Sequence, residues 1–315
     1  MNNQSTQAAA GLFAVKQLLI CTAVSVSYLV ISWLLIGFKT DQVYLVLLFN
    51  VLYFSSYNTR KFITGFSIFI VFWIIFDYMK AFPNYLYRDV HIESLYHAEK
   101  NLFGIHHGDQ ILTPNEYWLG HSNSLLDVVT GIAYLCWVPV PLTFAGYLFV
   151  KNRSAFLEFS LSFLLVNLIG FALYYIYPAA PPWYVQQHGF TFLPSTPGNT
   201  AGLWRFDAFF NTPVFHSLYS KSSNVFAAMP SLHASYPLIV LFYGIKYRSG
   251  WFMNMVFVFV MTGIWFSAIY NSHHYVLDIL AGIACAIAGI ALLQWAVKKN
   301  NSFQKFLQMF VRAIE

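Results

Sequence analysis

Residues 252–297 read FMNMVFVFVMTGIWFSAIYNSHHYVLDILAGIACAIAGIALLQWAV, two long apolar runs joined by the polar turn NSHHY. Each run is long enough to cross the hydrocarbon core of a bilayer as a helix, which takes about 20 residues. The stretch therefore predicts two membrane spans, 252–271 and 274–297, with two adjacent histidines at one membrane face. It indicates an all-α polytopic membrane protein.

The composition supports the same class. Of the 315 residues, 58% are apolar and only 9% are charged, whereas soluble domains carry about 25% charged residues. An ordinary soluble enzyme is therefore excluded. The net charge of +5 fits cytoplasmic Lys and Arg of a membrane protein, and we predict no nucleic-acid partner. Further apolar windows bring the prediction to about eight transmembrane helices, the others being 15–37, 42–58, 62–83, 125–150, 155–177 and 231–247.

Two long polar segments divide the chain into three predicted regions. Residues 1–83 form the N-terminal membrane spans, 84–124 an outer segment, and 125–315 a catalytic membrane bundle with an outer loop, 178–230. Six prolines in that loop predict a stiff, non-helical cover,. If it lies over an active site, it excludes water; the alternative is a loop that only packs on the bundle.

The outer segment 84–124 begins with an amphipathic pattern. Leu95, Tyr96, Leu102 and Phe103 share one face at helical spacing, with the charged residues opposite. This pattern predicts a helix lying in the outer membrane interface. A soluble cap helix is the alternative.

Charge asymmetry predicts the orientation. Eight spans place both termini on one side, and eleven of the seventeen Lys and Arg residues fall on that side, mostly in short loops and the C-terminal tail. The positive-inside rule makes it the cytoplasm. The long segments then face the periplasm of a bacterium or a Golgi-type lumen, and all ten histidines lie on that outer side.

The motif Ala-Met-Pro-Ser-Leu-His, residues 228–233, is typical of a helix start. Ser231 is the predicted N-cap, and His233 follows in the first turn. Because a helix N-terminus offers free N–H groups and partial positive charge, this position suits a phosphate. His233 is there a candidate proton donor and acceptor; the alternative is an interfacial histidine after an ordinary cap.

The motif Asn-Ser-His-His-Tyr-Val-Leu-Asp, residues 271–278, places His274 and Asp278 four residues apart on one helix face. A carboxylate that accepts a hydrogen bond from one ring nitrogen leaves the other free as a nucleophile. A structural pair or a proton relay of a transporter is the alternative. Since the spans that begin near His233 and His274 start on the same side, the two histidines and Asp278 are predicted to converge.

Both motifs resemble the second and third signatures of the type 2 phosphatidic acid phosphatase superfamily. The surrounding sequence is similar to one branch, the fungal inositol phosphorylceramide synthases and their bacterial relatives, and the short termini favour a bacterial member. Weaker similarities include Ala98–Gly104 and Leu126-Asp127. The stretches that carry the resemblance are YPAAPPWY at 177–184, AGLWRFD at 201–207, MPSLH at 229–233 and SHHYVLD at 272–278.

The resemblance implies a six-helix core and a metal-independent phosphotransferase without a cofactor. His274 would attack the phosphorus of a phosphatidylinositol-like donor and form a phosphohistidine, oriented by Asp278. His233 would protonate the departing diacylglycerol and then activate the hydroxyl of a ceramide-like acceptor. Water as the acceptor would instead give a lipid phosphate phosphatase.

Two arginine positions of the superfamily are absent. Ala268 stands six residues before the expected nucleophile, where the superfamily has Arg, and the first signature is missing. Something else must compensate the negative charge of the transition state. The candidates are the helix start at Ser231, Arg205, and less favourably Lys221 or His273; a loop Arg205 paired with Asp207 is the alternative.

Aromatic and acidic residues complete the predicted substrate site. Trp183 and Tyr184 either stack on the headgroup ring or anchor at the membrane interface, and anchoring is favoured for both and for Trp204. Asp127 either bonds headgroup hydroxyls or caps a helix. A transporter is disfavoured because the span interiors carry few charges.

Overall fold

The computed structural model describes residues 12–194, 196–220 and 224–315. The described residues are overwhelmingly helical, which confirms the all-α class. The chain forms two compact units, one from residues up to Phe82 together with Asn301–Glu315, and the other from Pro83–Asn300.

Within the described residues, the first unit contains three long apolar helices and an amphipathic C-terminal helix. Ser56 caps the third helix by accepting a hydrogen bond from the Thr59 N–H (3.1 Å). The apolar helices are α1 (Val15–Ile36), α2 (Thr40–Ser55) and α3 (Tyr57–Tyr78).

The second unit contains eleven helices within the described residues, and a short β-hairpin. They are α4 (Glu93–Phe103), α5 (Pro114–Gly120), α6 (Ser124–Leu135), α7 (Pro139–Lys151), α8 (Arg153–Ile176), α9 (Pro182–His188), α10 (Trp204–Phe210), α11 (Val214–Tyr219), α12 (Leu232–Lys246), α13 (Trp251–Tyr270) and α14 (Val276–Lys299); the C-terminal helix of the first unit, Asn301–Ile314, is α15. The hairpin pairs β1 (Ile105–His107) with β2 (Gln110–Leu112) antiparallel.

Seven of the eight predicted spans each fall mainly on one helix, and 125–150 falls on two, α6 and α7. Six segments are long and apolar enough to cross a membrane: Val15–Ile36, Tyr57–Ala81, Ser124–Lys151, Arg153–Ile176, Trp251–Tyr270 and Val276–Lys299. The predicted spans 42–58 and 231–247 fold as the shorter helices α2 and α12, of 16 and 15 residues. Fifteen residues rise only about 22 Å, less than the hydrocarbon core. The chain is an integral membrane protein.

The predicted amphipathic helix exists as α4, but its apolar residues do not share one environment. Leu95 is buried, whereas Leu102 is 67% exposed. Glu99, predicted among the outward charges, is fully buried. The hydrophobic pattern missed this because Glu99 has backbone partners on another element, described below.

Three extended segments lie side by side at the outer end of the second unit. His91 bridges to Ala179, and Ala179 bridges to Ala227, both in parallel. The outer loop 178–230 is therefore tied to the segment 84–124 at His91, and residues near its start and its end are tied to each other. It is not the wholly non-helical cover that its prolines predicted, because α9, α10 and α11 lie within it; Pro181, Pro182 and Pro213 stand at or just before helix starts, where a missing N–H does no harm,.

A buried cluster beneath this loop joins α6, α10, α11, α12, α13 and α14. Its members include Tyr134, Phe206, Phe215, Ala234, Ile264 and Ile279. The cluster fixes the outer-loop helices against α12, α13 and α14, near whose ends His233, His273 and His274 lie.

Candidate active site

The starts of α12 and α14 contact each other directly. Ser231 is the N-cap of α12, as predicted, and its Oγ accepts a hydrogen bond from the Ala234 N–H (3.3 Å). The Ser231 N–H donates to the Asp278 carbonyl (2.8 Å). A Cβ on Gly282 would clash with the Ser231 carbonyl oxygen, so only glycine permits this approach. The two motifs predicted to converge are therefore adjacent.

This contact brings His233, His274 and Asp278 together. Nδ1 of His233 lies 3.2 Å from Nε2 of His274. Nδ1 of His274 lies 3.5 Å from Oδ2 of Asp278. The same Oδ2 accepts a hydrogen bond from the Tyr275 N–H (2.8 Å), which fixes the carboxylate beside the histidine. One ring nitrogen of His274 thus faces Asp278 and the other faces His233.

Both histidines of the loop between α13 and α14 are buried and neutral. Burial lowers the pKa of His274 to about 4, against a smaller opposing effect of the Ala228 carbonyl. Burial, and secondarily His274, lower the pKa of His273 well below its usual value. A nucleophilic ring nitrogen must be unprotonated, and His274 meets that condition at neutral pH.

A cavity of about 100 Å³ opens over these rings. It is lined by His233, His273 and His274, by Trp183, and by outer-loop residues that include Asn199 and Tyr219. Among the described residues no Lys, Arg, Asp or Glu lines it. The cavity is smaller than the roughly 300–1,000 Å³ of typical ligand pockets.

His273 occupies a fixed place in the cavity wall. Its Nε2 lies 2.9 Å from the Thr200 carbonyl, so the neutral ring donates its proton there. The ring stacks between Tyr134 and Tyr219, with centroid distances of 5.4 and 4.5 Å. His273 contributes polarity to the site without a positive charge, and its role in substrate binding stays a prediction.

The favoured interfacial anchoring of Trp183 and Tyr184 is wrong. Both are buried in the protein, and an anchor must reach the lipid,. Trp183 lines the cavity and donates its backbone N–H to the Ser272 carbonyl (3.0 Å). Tyr184 does not line it; its hydroxyl donates to the Thr191 carbonyl (2.7 Å). Trp204 is 58% exposed, as anchoring requires.

Arg205 and Asp127 bind each other. Nε of Arg205 lies 2.6 Å from Oδ1 of Asp127, which also accepts a hydrogen bond from the Tyr270 hydroxyl (2.7 Å). Neither residue lines the cavity. The alternative pairing of Arg205 with Asp207 is wrong, because the Asp207 carboxylate accepts backbone N–H groups of α11.

The other two candidates for charge compensation stand as follows. Ser231 is fully buried and its hydroxyl is engaged in the cap. Lys221 lies outside the described residues. Which group compensates the transition-state charge stays a prediction.

Three residues next to the histidines were missed or left without a role. The Tyr134 hydroxyl lies 3.2 Å from Nδ1 of His233. Asn115 donates to the carbonyls of Ile269 and His274, both at 2.9 Å. Glu99 accepts the N–H groups of Val276 (2.9 Å) and Leu277 (3.1 Å). Each of the three lies more than 90 positions along the chain from these hydrogen-bond partners, so no local sequence pattern predicts its role.

Comparison with known proteins places the site in a family. A phosphoinositol dihydroceramide synthase of Bacteroides thetaiotaomicron is 41% identical over 301 residues, 95% of this chain and 99% of the relative. Inositol phosphorylceramide synthases are more distant. That of Candida albicans is 29% identical over 62% of this chain and 43% of its own length, and that of Saccharomyces cerevisiae 27% over 75% and 59%.

No solved structure matches the chain. The sequence profile of the PAP2 superfamily matches residues 94–292, which include both histidine motifs, the outer loop and most of α4. The profile covers more than half of the chain, and the bacterial relative extends the similarity to nearly all of it. The chain belongs to the PAP2 superfamily.

Proposed function

We propose that the protein transfers a phosphoinositol headgroup from phosphatidylinositol to the hydroxyl of a ceramide-type lipid. The observation that carries this proposal is the 41% identity with a phosphoinositol dihydroceramide synthase along almost the whole chain. The paired histidines support it, because a two-step transfer needs a nucleophile and a proton carrier within reach of one phosphate.

In the first step, Nε2 of His274 attacks phosphorus and the bond from phosphorus to the diacylglycerol oxygen breaks. His233 donates a proton to that oxygen, and diacylglycerol leaves. The product is a phosphodiester-like phosphohistidine that carries inositol. Asp278 faces Nδ1 of His274 and stabilises the charge that develops on the ring,.

In the second step, His233 accepts the proton of the lipid hydroxyl, whose oxygen attacks phosphorus as the N–P bond breaks. Nε2 of His274 is thereby regenerated. Because only 3.2 Å separates the two facing nitrogens, a substrate phosphate must move the rings apart, and the small cavity must widen for the headgroup.

The cavity electrostatics favour this reaction over phosphatase activity. A phosphodiester carries one negative charge, and a phosphomonoester carries nearly two at neutral pH. The described part of the cavity wall is lined by neutral groups. Binding a dianion there would need cations that these residues do not supply.

The orientation follows from the same unit. The cavity lies at the starts of α12 and α14, whereas Lys246, Arg248, Lys298 and Lys299 lie at or just beyond the other ends of these helices. The positive-inside rule makes that other side cytoplasmic. We propose on this basis that the active site faces the periplasm or a Golgi-type lumen. That both termini lie in the cytoplasm is proposed from the Lys and Arg pattern of the sequence alone.

An assay with purified protein tests the proposal. The protein is incubated with labelled phosphatidylinositol in excess chelator, with and without dihydroceramide. We expect dihydroceramide-dependent inositol phospholipid from wild type and from His97→Ala, an exposed control, and none from His274→Ala. Release of water-soluble inositol phosphate in place of that product, or an active His274→Ala protein, contradicts it. The same assay in sealed vesicles of each orientation checks which side the site faces.

A further inference from the structure

The loop that carries His273 and His274 is held from outside its own helices. It joins the end of α13 to the start of α14, and its neighbours on both sides are bound by buried side chains of the outer segment 84–124. Asn115, on α5, donates both hydrogens of its amide to the carbonyls of Ile269 and His274. A capping box between Thr113 and Glu116 fixes α5 and with it this amide.

Glu99 holds the other end of the loop. Its two carboxylate oxygens accept the N–H groups of Val276 and Leu277, at 2.9 and 3.1 Å. These are the first two residues of α14, whose N–H groups have no partner within the helix. Asp278 follows directly, so the geometry of Glu99 determines where the carboxylate beside His274 lies.

We propose that Glu99 is a positioning residue that fixes the start of α14, and through it the pairing of Asp278 with His274. This inference rests on the proposed phosphotransfer for its kinetic consequence, and on the two hydrogen bonds for its structural one. Ionised Glu99 accepts both N–H groups with two oxygens. Protonated Glu99 keeps one full acceptor, and one N–H loses its partner.

The surroundings of Glu99 place this change in the accessible pH range. Burial raises the pKa of Glu99 to about 7, the two backbone N–H groups oppose it, and the charge of Asp278 adds to it. Of the other ionisable groups on the packed elements, Glu93 and His97 of α4 are exposed. The rest include Tyr117 on α5, Tyr275 at the start of α14 and, on α4 and α5, Tyr96, Lys100 and Glu116. These last three bind one another through the Tyr96 hydroxyl.

Kinetics of Glu99→Gln test the positioning role. The amide offers one acceptor, so we expect kcat to fall about tenfold to a hundredfold with KM changed less than about twofold, since misplacing a reacting group costs rate rather than binding. We also expect wild type to lose kcat as pH falls through about 7, and Glu99→Gln to lack that limb. Glu93→Gln, a neighbouring exposed carboxylate on α4, should match wild type.

A Glu99→Gln protein with wild-type kcat and an unchanged pH profile overturns the proposal. A variant that merely misfolds would show a changed KM as well as a lower kcat. Its kcat would still fall as the pH drops through about 7. Glu99→Asp supplies a second variant, since it keeps the charge but shortens the reach, and it should retain a pH limb at lower kcat.

Hydrogen exchange separates this inference from the proposed function. We expect the peptide that spans residues 271–280 to exchange faster in Glu99→Gln than in wild type or Glu93→Gln, with other spans unchanged. Equal exchange in all three overturns the structural claim. If wild type transfers no phosphoinositol, the proposed function fails, while the exchange result still decides whether Glu99 holds the helix start.

Discussion

The two helix starts that form the site are held in opposite ways. The start of α12 is capped by its own residue, Ser231, which lies two positions before His233. The start of α14 is capped by Glu99, 177 positions away, and by Asp278, which also faces His274. His233, the proposed general acid, therefore follows a locally encoded cap, and His274, the proposed nucleophile, precedes a helix start that is capped through the tertiary fold.

The histidines differ in the same way in their orienting partners. His274 lies just before α14 and faces a carboxylate in the first turn of that helix, which differs from the predicted pair on one helix face. His233 faces the hydroxyl of Tyr134 on α6. A carboxylate stabilises a ring that gains positive charge, and a hydroxyl only fixes its orientation. The loss of Asp278 should therefore do more damage than the loss of the Tyr134 hydroxyl.

The largest effect is expected for Asp278→Asn. An amide oxygen in the place of Oδ2 would still accept the Tyr275 N–H and face Nδ1 of His274, but it carries no negative charge to stabilise the ring as the ring becomes positively charged. By analogy with the orienting aspartate of hydrolytic triads, kcat should fall by about 10³- to 10⁴-fold. Transfer of labelled headgroup measures it, with the exposed hairpin variant Asp109→Asn as control. A variant with a tenth of wild-type kcat would show that Asp278 is structural only.

A smaller effect is expected for Tyr134→Phe. The change removes the hydroxyl 3.2 Å from His233 but keeps the ring that stacks on His273. One hydrogen bond contributes about 0.5–1.5 kcal/mol, so kcat should fall about threefold to tenfold while KM holds. The exposed Tyr44→Phe serves as control. A fall as large as that of Asp278→Asn would mean that Tyr134 itself carries a proton.

The two helix starts also show what the sequence can reveal. Ser231, His233, His274 and Asp278 were predicted because a cap and an i, i+4 pair are local patterns, and the positions of the spans bring them to one face. The roles of Glu99, Asn115 and Tyr134 depend on contacts between distant segments. Hydrophobic periodicity gives no information about such contacts. The predicted exposure of Glu99 was wrong, because the prediction assumed that a charge on an amphipathic helix is exposed, as it normally is.

The predicted interfacial anchoring of two aromatic residues was wrong for a related reason. Interfacial anchoring of Trp183 and Tyr184 assumed that aromatic residues near a span end face lipid. Both are instead packed in a cluster with Ile92, Ala180 and Phe226. That cluster depends on the parallel bridges of the outer loop. No strand pattern in the sequence predicts these bridges, because each is a single residue pair.

The smallest effect, and the sharpest test of the comparison, is expected for Ser231→Ala. A lost N-cap costs about 1 kcal/mol, whereas glycine at the same position costs only a few tenths. Ser231→Ala should lower the thermal midpoint by about 2–4 °C and Ser231→Gly by less. In both, kcat should stay within about threefold of wild type, because the backbone bond from Ser231 to Asp278 remains. If Ser231→Ala instead lost kcat as Glu99→Gln is expected to, the serine hydroxyl would be acting on substrate, and the two helix starts would be alike after all.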